Sequence, residues 1–160
     1  MLIPPKGAGF YTSIRLNRED VPGFDEYPFK IPALRHLTDL PLHPCVTFLI
    51  GENGTGKSTL VEAVAVKLGF NAEGGTKNFR FSSRASHSEL YHALTVPKAK
   101  YPGDGFFLRA ESFYNVATEI ENVSSLHNYG GVSFHEMSHG ESFFALMESR
   151  LTGDGFYIFD

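Results

Sequence analysis

Eight consecutive residues, Gly51-Glu52-Asn53-Gly54-Thr55-Gly56-Lys57-Ser58, carry the Walker A spacing of a phosphate-binding loop: glycine, four residues, then glycine, lysine and serine. Glycines let the backbone curl until successive N–H groups face inward, and the positive start of a following helix adds its attraction for anions. In such a loop Lys57 reaches the β- and γ-phosphates of a nucleoside triphosphate, the Ser58 hydroxyl is a ligand to Mg2+, and Thr59 adds an α-phosphate contact. The chemistry implied is the binding of a triphosphate, with ATP the first expectation. The bland alternative is a glycine-rich turn that holds nothing.

The loop requires a strand before it and a helix after it. Val46-Thr47-Phe48-Leu49-Ile50 is a continuous apolar, β-rich run ending at glycine, which predicts a central parallel strand covered on both faces. From Lys57 to Leu68, Leu60, Val61, Val64 and Leu68 share one helical face, and Gly69 stands where a cap glycine belongs. Further along, Phe106-Phe107-Leu108 predicts a second buried strand and Phe156-Tyr157-Ile158-Phe159 a third apolar strand. Helical stretches are predicted at 88–94, at 111–121 and after Ser138, while 11–16 reads as a short strand and 21–44 as proline-bearing irregular chain. Alternating strands and helices imply a layered α/β fold.

Two later segments add to the loop. Met137-Ser138-His139-Gly140-Glu141 precedes a predicted helix, and Asp160 ends the last apolar strand, where a carboxylate suits a magnesium ion near Ser58. Ser138 and Glu141 also spell a capping box, in which serine caps the helix and glutamate reaches back to the serine N–H.

Taken together, GENGTGKST, then Ser138-His139-Gly140-Glu141, then Phe156 to Asp160, in that order, resemble the Walker A, signature and Walker B segments of ABC-type ATPases, including the SMC and RecF group. The resemblance runs over most of the chain and is nearest to bacterial ABC-type proteins grouped as AAA-family ATPases. It implies a P-loop NTPase fold with a mainly parallel central sheet, an ABC-type nucleotide-binding domain incomplete at its C-terminus. It also implies ATP hydrolysis, with Lys57 and Asp160 in the catalytic set, and a homodimer assembled by ATP in which Ser138, His139, Gly140 and Glu141 close on the partner's nucleotide. His139 stands where the family usually has glycine. The family's glutamine after a buried strand has no counterpart, since the chain contains no glutamine, and Glu111 occupies the comparable place. The family's water-polarising glutamate would follow Asp160, so the resemblance further implies that residues 1–160 bind ATP·Mg and hydrolyse it poorly. By family analogy alone, nucleic acid is a candidate partner.

Composition limits the alternatives. The chain is one domain's worth, with 42% hydrophobic and 20% charged residues, and is read as a single unit, 1–160. Its approximate sub-regions are 1–70 with the phosphate loop, 71–137 with a loop and helical region, and 138–160 with the signature helix and last strand. A net charge of -4 supplies no long-range field toward nucleic acid or anionic membranes. The single cysteine, Cys45, excludes an internal disulfide and reads as a small buried residue. No apolar run is long enough for membrane insertion, so a cytoplasmic location is expected. Tyr11, Phe24, Tyr27 and Phe29 are equal candidates to stack on a base or simply to fill the core, and Lys77, Arg80 and Arg84 form a basic stretch. Two competing readings are a P-loop small-molecule kinase, for which Arg80 and Arg84 would serve a lid, and a non-hydrolysing nucleotide-dependent interaction module.

Overall fold

The computed structural model describes residues 9–77, 88–123, 133–151 and 153–160. Its elements in chain order are β1 (Ser13–Leu16), a one-turn α1 (Pro32–Arg35), β2 (Asp39–Pro41), α2 (Lys57–Lys67), β3 (Leu94–Thr95), β4 (Asp104–Leu108), α3 (Phe113–Val123), α4 (His139–Arg150) and β5 (Gly155–Phe159). A 3-10 turn at Glu89–Ala93 leads into β3, and another at Ala110–Ser112 leads into α3.

The result is a mixed α/β structure with two small sheets. β1 lies between β2 and β3 and is antiparallel to both, with Ile14 opposite Leu40 and Leu16 opposite Leu94. β4 and β5 are parallel in a register that runs from Asp104↔Gly155 to Leu108↔Phe159. The ladder extends past the strands, because Asp160 N–H donates to Leu108 O at 2.9 Å and Ala110 N–H to Asp160 O at 3.0 Å.

β4 explains why its sequence is apolar without alternation. Phe107 faces a core built with Leu60, Ala63 and Val64 of α2, Leu90, Leu94 and Ile158. Phe106 and Leu108 face the opposite side, where Phe113, Val116 and Ile120 of α3 and Leu146 of α4 cover them. Successive strand side chains point to opposite faces, so a strand covered on both must be apolar throughout. At its edge, the backbone of residues 74–75 runs so close that a Cβ on Gly74 would meet Phe107 O at 2.8 Å.

Four expectations need correction. Residues 46–50 form no strand: no described strand pairs with them, and Val46, Phe48 and Ile50 are 58%, 81% and 93% exposed while Leu49 packs inward. Leu49 alone of the five turns inward; a ladder needs partner N–H and C=O groups, and among the described residues β5 pairs with β4 alone. Among the described residues the sheet content is accordingly a three-stranded antiparallel and a two-stranded parallel sheet, in place of one mainly parallel sheet. Cys45 is exposed, because it lies in the turn before this unpaired run, where its N–H donates to His43 Nδ1 at 3.2 Å. The 21–44 stretch is not wholly irregular, since Pro32 at the first helical position presets φ for α1. The remaining predicted elements form within a few residues of their expected bounds.

Candidate functional site

Residues 51–58 curl rather than extend. Gly54 and Gly56 have φ of +80° and +94°, left-handed values that a β-carbon disfavours, and Gly56 is the residue from which α2 starts. Thr55 Oγ1 donates to Glu52 O at 2.8 Å, closing the turn. The Lys57 ammonium lies back across the loop and donates to Gly51 O and Glu52 O, both at 2.8 Å. Gly51, Glu52, Asn53 and Gly54 are exposed, as is Ser58, so the concave side is open to solvent. A helix of three turns, Lys57–Lys67, stands behind the loop with its N-terminal N–H groups toward it.

The four aromatic candidates separate by environment. Tyr11 and Phe29 are buried in the core, and burial, followed by the charge of nearby Tyr101, pushes the Tyr11 hydroxyl pKa up. Phe24 is covered by the Arg18 guanidinium, 4.4 Å from its ring centre. Tyr27 alone of the four is exposed, at 61%, and its hydroxyl is 3.3 Å from Thr59 Oγ1, so its ring stands beside the start of α2.

At the carboxyl ends of the parallel strands, Glu111 and Asp160 are brought together by a residue that motif spacing passed over. Arg109, directly after β4, sends Nη1 to Glu62 Oε2 at 2.6 Å and Nη2 to Glu111 Oε2 at 3.4 Å, while its Nε faces Asp160 Oδ2 across 3.8 Å. Glu62 lies on α2 four residues after Ser58, hence on the same helix face. The chain Glu62–Arg109–Asp160 therefore links the end of β5 to the Ser58 side of α2. The signal available in the sequence was positional: charged side chains at the carboxyl ends of parallel strands border the place where open α/β sheets bind ligands.

Ser138 starts α4 with the expected capping box: its backbone N–H donates to Glu141 Oε2 at 2.9 Å, and its hydroxyl accepts from Glu141 N at 3.4 Å. The Ser138 hydroxyl and N–H beside the carboxylate hold the Glu141 pKa below its ordinary value. Gly140 is exposed at this helix start, and the His139 side chain is not among those described. A shallow cleft beside α4 is lined by Phe113, Phe134, His135 and Ser142 among others, with none of residues 51–58 in its walls. Lys77 has its ammonium 5.0 Å from the Phe70 ring centre, and burial, then Lys98, lowers its pKa. Arg80 and Arg84, on which a kinase lid would depend, lie outside the described residues.

Among the described residues no group of three His, Cys, Asp or Glu side chains is arranged to hold a metal by itself. Ser58 and Asp160 instead offer a hydroxyl and a carboxylate, hard oxygen donors of the kind magnesium uses when phosphates and water complete its shell, and the donor set fits that ion. No helix among the described residues is long and apolar enough to cross a membrane. No protein-family model, no curated protein and no solved structure matches the chain.

Proposed function

We propose that this chain is an ABC-type P-loop ATPase domain that binds ATP with magnesium and dimerises through the bound nucleotide. The observation that carries the reading is the curled loop with Lys57 Nζ resting 2.8 Å from two loop carbonyls at the start of α2. A triphosphate entering the concave side gives the ammonium phosphate oxygens in exchange for Gly51 O and Glu52 O, while the loop N–H groups and the helix start hold the rest of the tail. Tyr27 offers its exposed ring to the base. Ser58 and Asp160 hold magnesium, which neutralises charge on the β- and γ-phosphates when bound. Glu111, 85% exposed and in contact with Arg109, would orient a water at the carboxyl edge.

Ser138 is exposed at the start of α4. With the Gly140 backbone it forms an anion site for the γ-phosphate held by a second copy. The same capping box favours the other reading, an interaction module that binds nucleotide without closing on a partner, since Ser138 and Glu141 already satisfy each other. Sedimentation with and without ATP·Mg separates the two. The dimer reading expects a doubled mass with ATP that Ser138→Arg abolishes while nucleotide binding persists. A mass unchanged by ATP leaves the interaction module standing.

A further inference from the structure

The fold sets Arg109 beside Asp160, the carboxylate on which the metal reading depends, and beside Glu62 and Glu111. Its side chain is 20% exposed, against 13% for Glu62 and 15% for Asp160. The grip on the three carboxylates is uneven. Glu62 takes a short, charge-assisted bond at 2.6 Å, reinforced by Ala72 O at 3.4 Å from the same nitrogen. Asp160 is held only across 3.8 Å, beyond hydrogen-bond range, and Nε is buried with no hydrogen-bond partner among the described residues. A cation bound tightly to one carboxylate and loosely to another stays in place when the second is taken by a stronger partner. Three carboxylates, Glu62, Glu111 and Asp160, thus share one guanidinium.

We propose that Arg109 is a positioning residue that holds Asp160 toward the Ser58 face of α2 before the divalent ion is bound, and that sets the affinity for that ion by competing for the same carboxylate. The proposal rests on Ser58 and Asp160 as the magnesium ligands and adds the regulation of that site. Glu62 is the anchor: while it holds Nη1, the guanidinium cannot close on Asp160 with its full fork of donors. Binding of the ion then shifts Asp160 away from Nε and leaves the Glu62 bond intact, so α2 and the strand ends keep their relative placement.

The test is a titration of the full 160-residue chain with Mn2+, free ion being followed by its paramagnetic resonance signal, in the absence and presence of ATP. Without nucleotide, Arg109→Gln removes the competing charge and raises Mn2+ affinity by about tenfold or more, as expected for a cation a few ångströms from the site. Glu62→Gln frees the guanidinium to close on Asp160 and weakens Mn2+ binding by about threefold or more, and Arg109→Lys, which keeps the charge, stays within about threefold of the wild type. Opposite signs for the Arg109→Gln and Glu62→Gln changes support the proposal. A residue serving only as a structural tie would lower the melting temperature in both variants and leave Mn2+ affinity unchanged or reduced in both, which overturns it. Should Arg109→Gln fail to fold, an unchanged or tighter Glu62→Gln overturns it alone. A wild type that takes up no Mn2+ even with ATP removes the magnesium reading itself. A wild type that takes it up with ATP, beside indifferent variants, removes only the role of Arg109.

Discussion

Replacing Tyr27 by alanine should weaken ATP binding without weakening the hold on phosphates. The residue is 61% exposed and the one hydrogen-bond partner of its hydroxyl among the described residues is Thr59 Oγ1 at 3.3 Å, so its removal takes little from the fold. Surface changes of this kind stay within about 0.5 kcal/mol of the wild-type stability. A base stacked on the ring is a different matter, because aromatic stacking contributes roughly 1–3 kcal/mol per base. That range converts to a loss of about 5- to 150-fold in ATP affinity. Tyr27→Phe keeps the stacking face and loses only an exposed hydrogen bond, a net change on the order of 0.5 kcal/mol, so it should bind ATP within about threefold of the wild type. The assay is competition between ATP and inorganic tripolyphosphate for the same chain, read by calorimetry. Tyr27→Ala should lose ATP affinity and keep tripolyphosphate affinity. Equal losses for both ligands, or none for ATP, would refute the placement of the base against Tyr27.

Two further outcomes follow from the packing and the helix cap. Phe107 is fully buried between α2 and the parallel strands, so Phe107→Ala should cost about 3–5 kcal/mol, read as a lower urea midpoint; a change below about 1 kcal/mol would contradict the assignment of this ring to the core. The folded-state pKa of Glu141 lies below its ordinary value of 4.5, so the cap contribution is complete above that value and is lost as the pH falls through the folded-state pKa. The midpoint advantage of the wild type over Glu141→Ala should therefore be present at neutral pH and disappear in acid, whereas a pH-independent difference would rule out the capping box as its source.

Legibility in the sequence followed how local each determinant is. The helix over Lys57–Lys67 and the box at Ser138 and Glu141 depend on spacing within a few residues, and both form where spacing placed them. Phe106–Leu108 was readable as a strand because burial on both faces leaves a continuous apolar run, and Phe156–Phe159 pairs with it although Phe159 is exposed. The run at 46–50 has the same composition and fails, since whether a strand forms depends on which backbone lies beside it, a tertiary fact that composition does not contain. Exposure of Cys45 follows from that failure. Four aromatics before the loop were equivalent by type, and only packing distinguishes Tyr27 from Tyr11, Phe24 and Phe29. Arg109 and Glu62 lie 47 positions apart, so no local pattern could pair them.

The central claim is that the loop at 51–58 is a cradle for a polyphosphate and that Lys57 is its mobile cation. Calorimetric titration of the wild type and Lys57→Ala with ATP and magnesium tests it directly. The wild type should bind in the micromolar range or tighter, and the variant, lacking a charge-assisted contact of roughly 2 kcal/mol, should bind about 30-fold more weakly. Absence of heat from the wild type with any triphosphate, or equal affinity in the two proteins, would contradict the account.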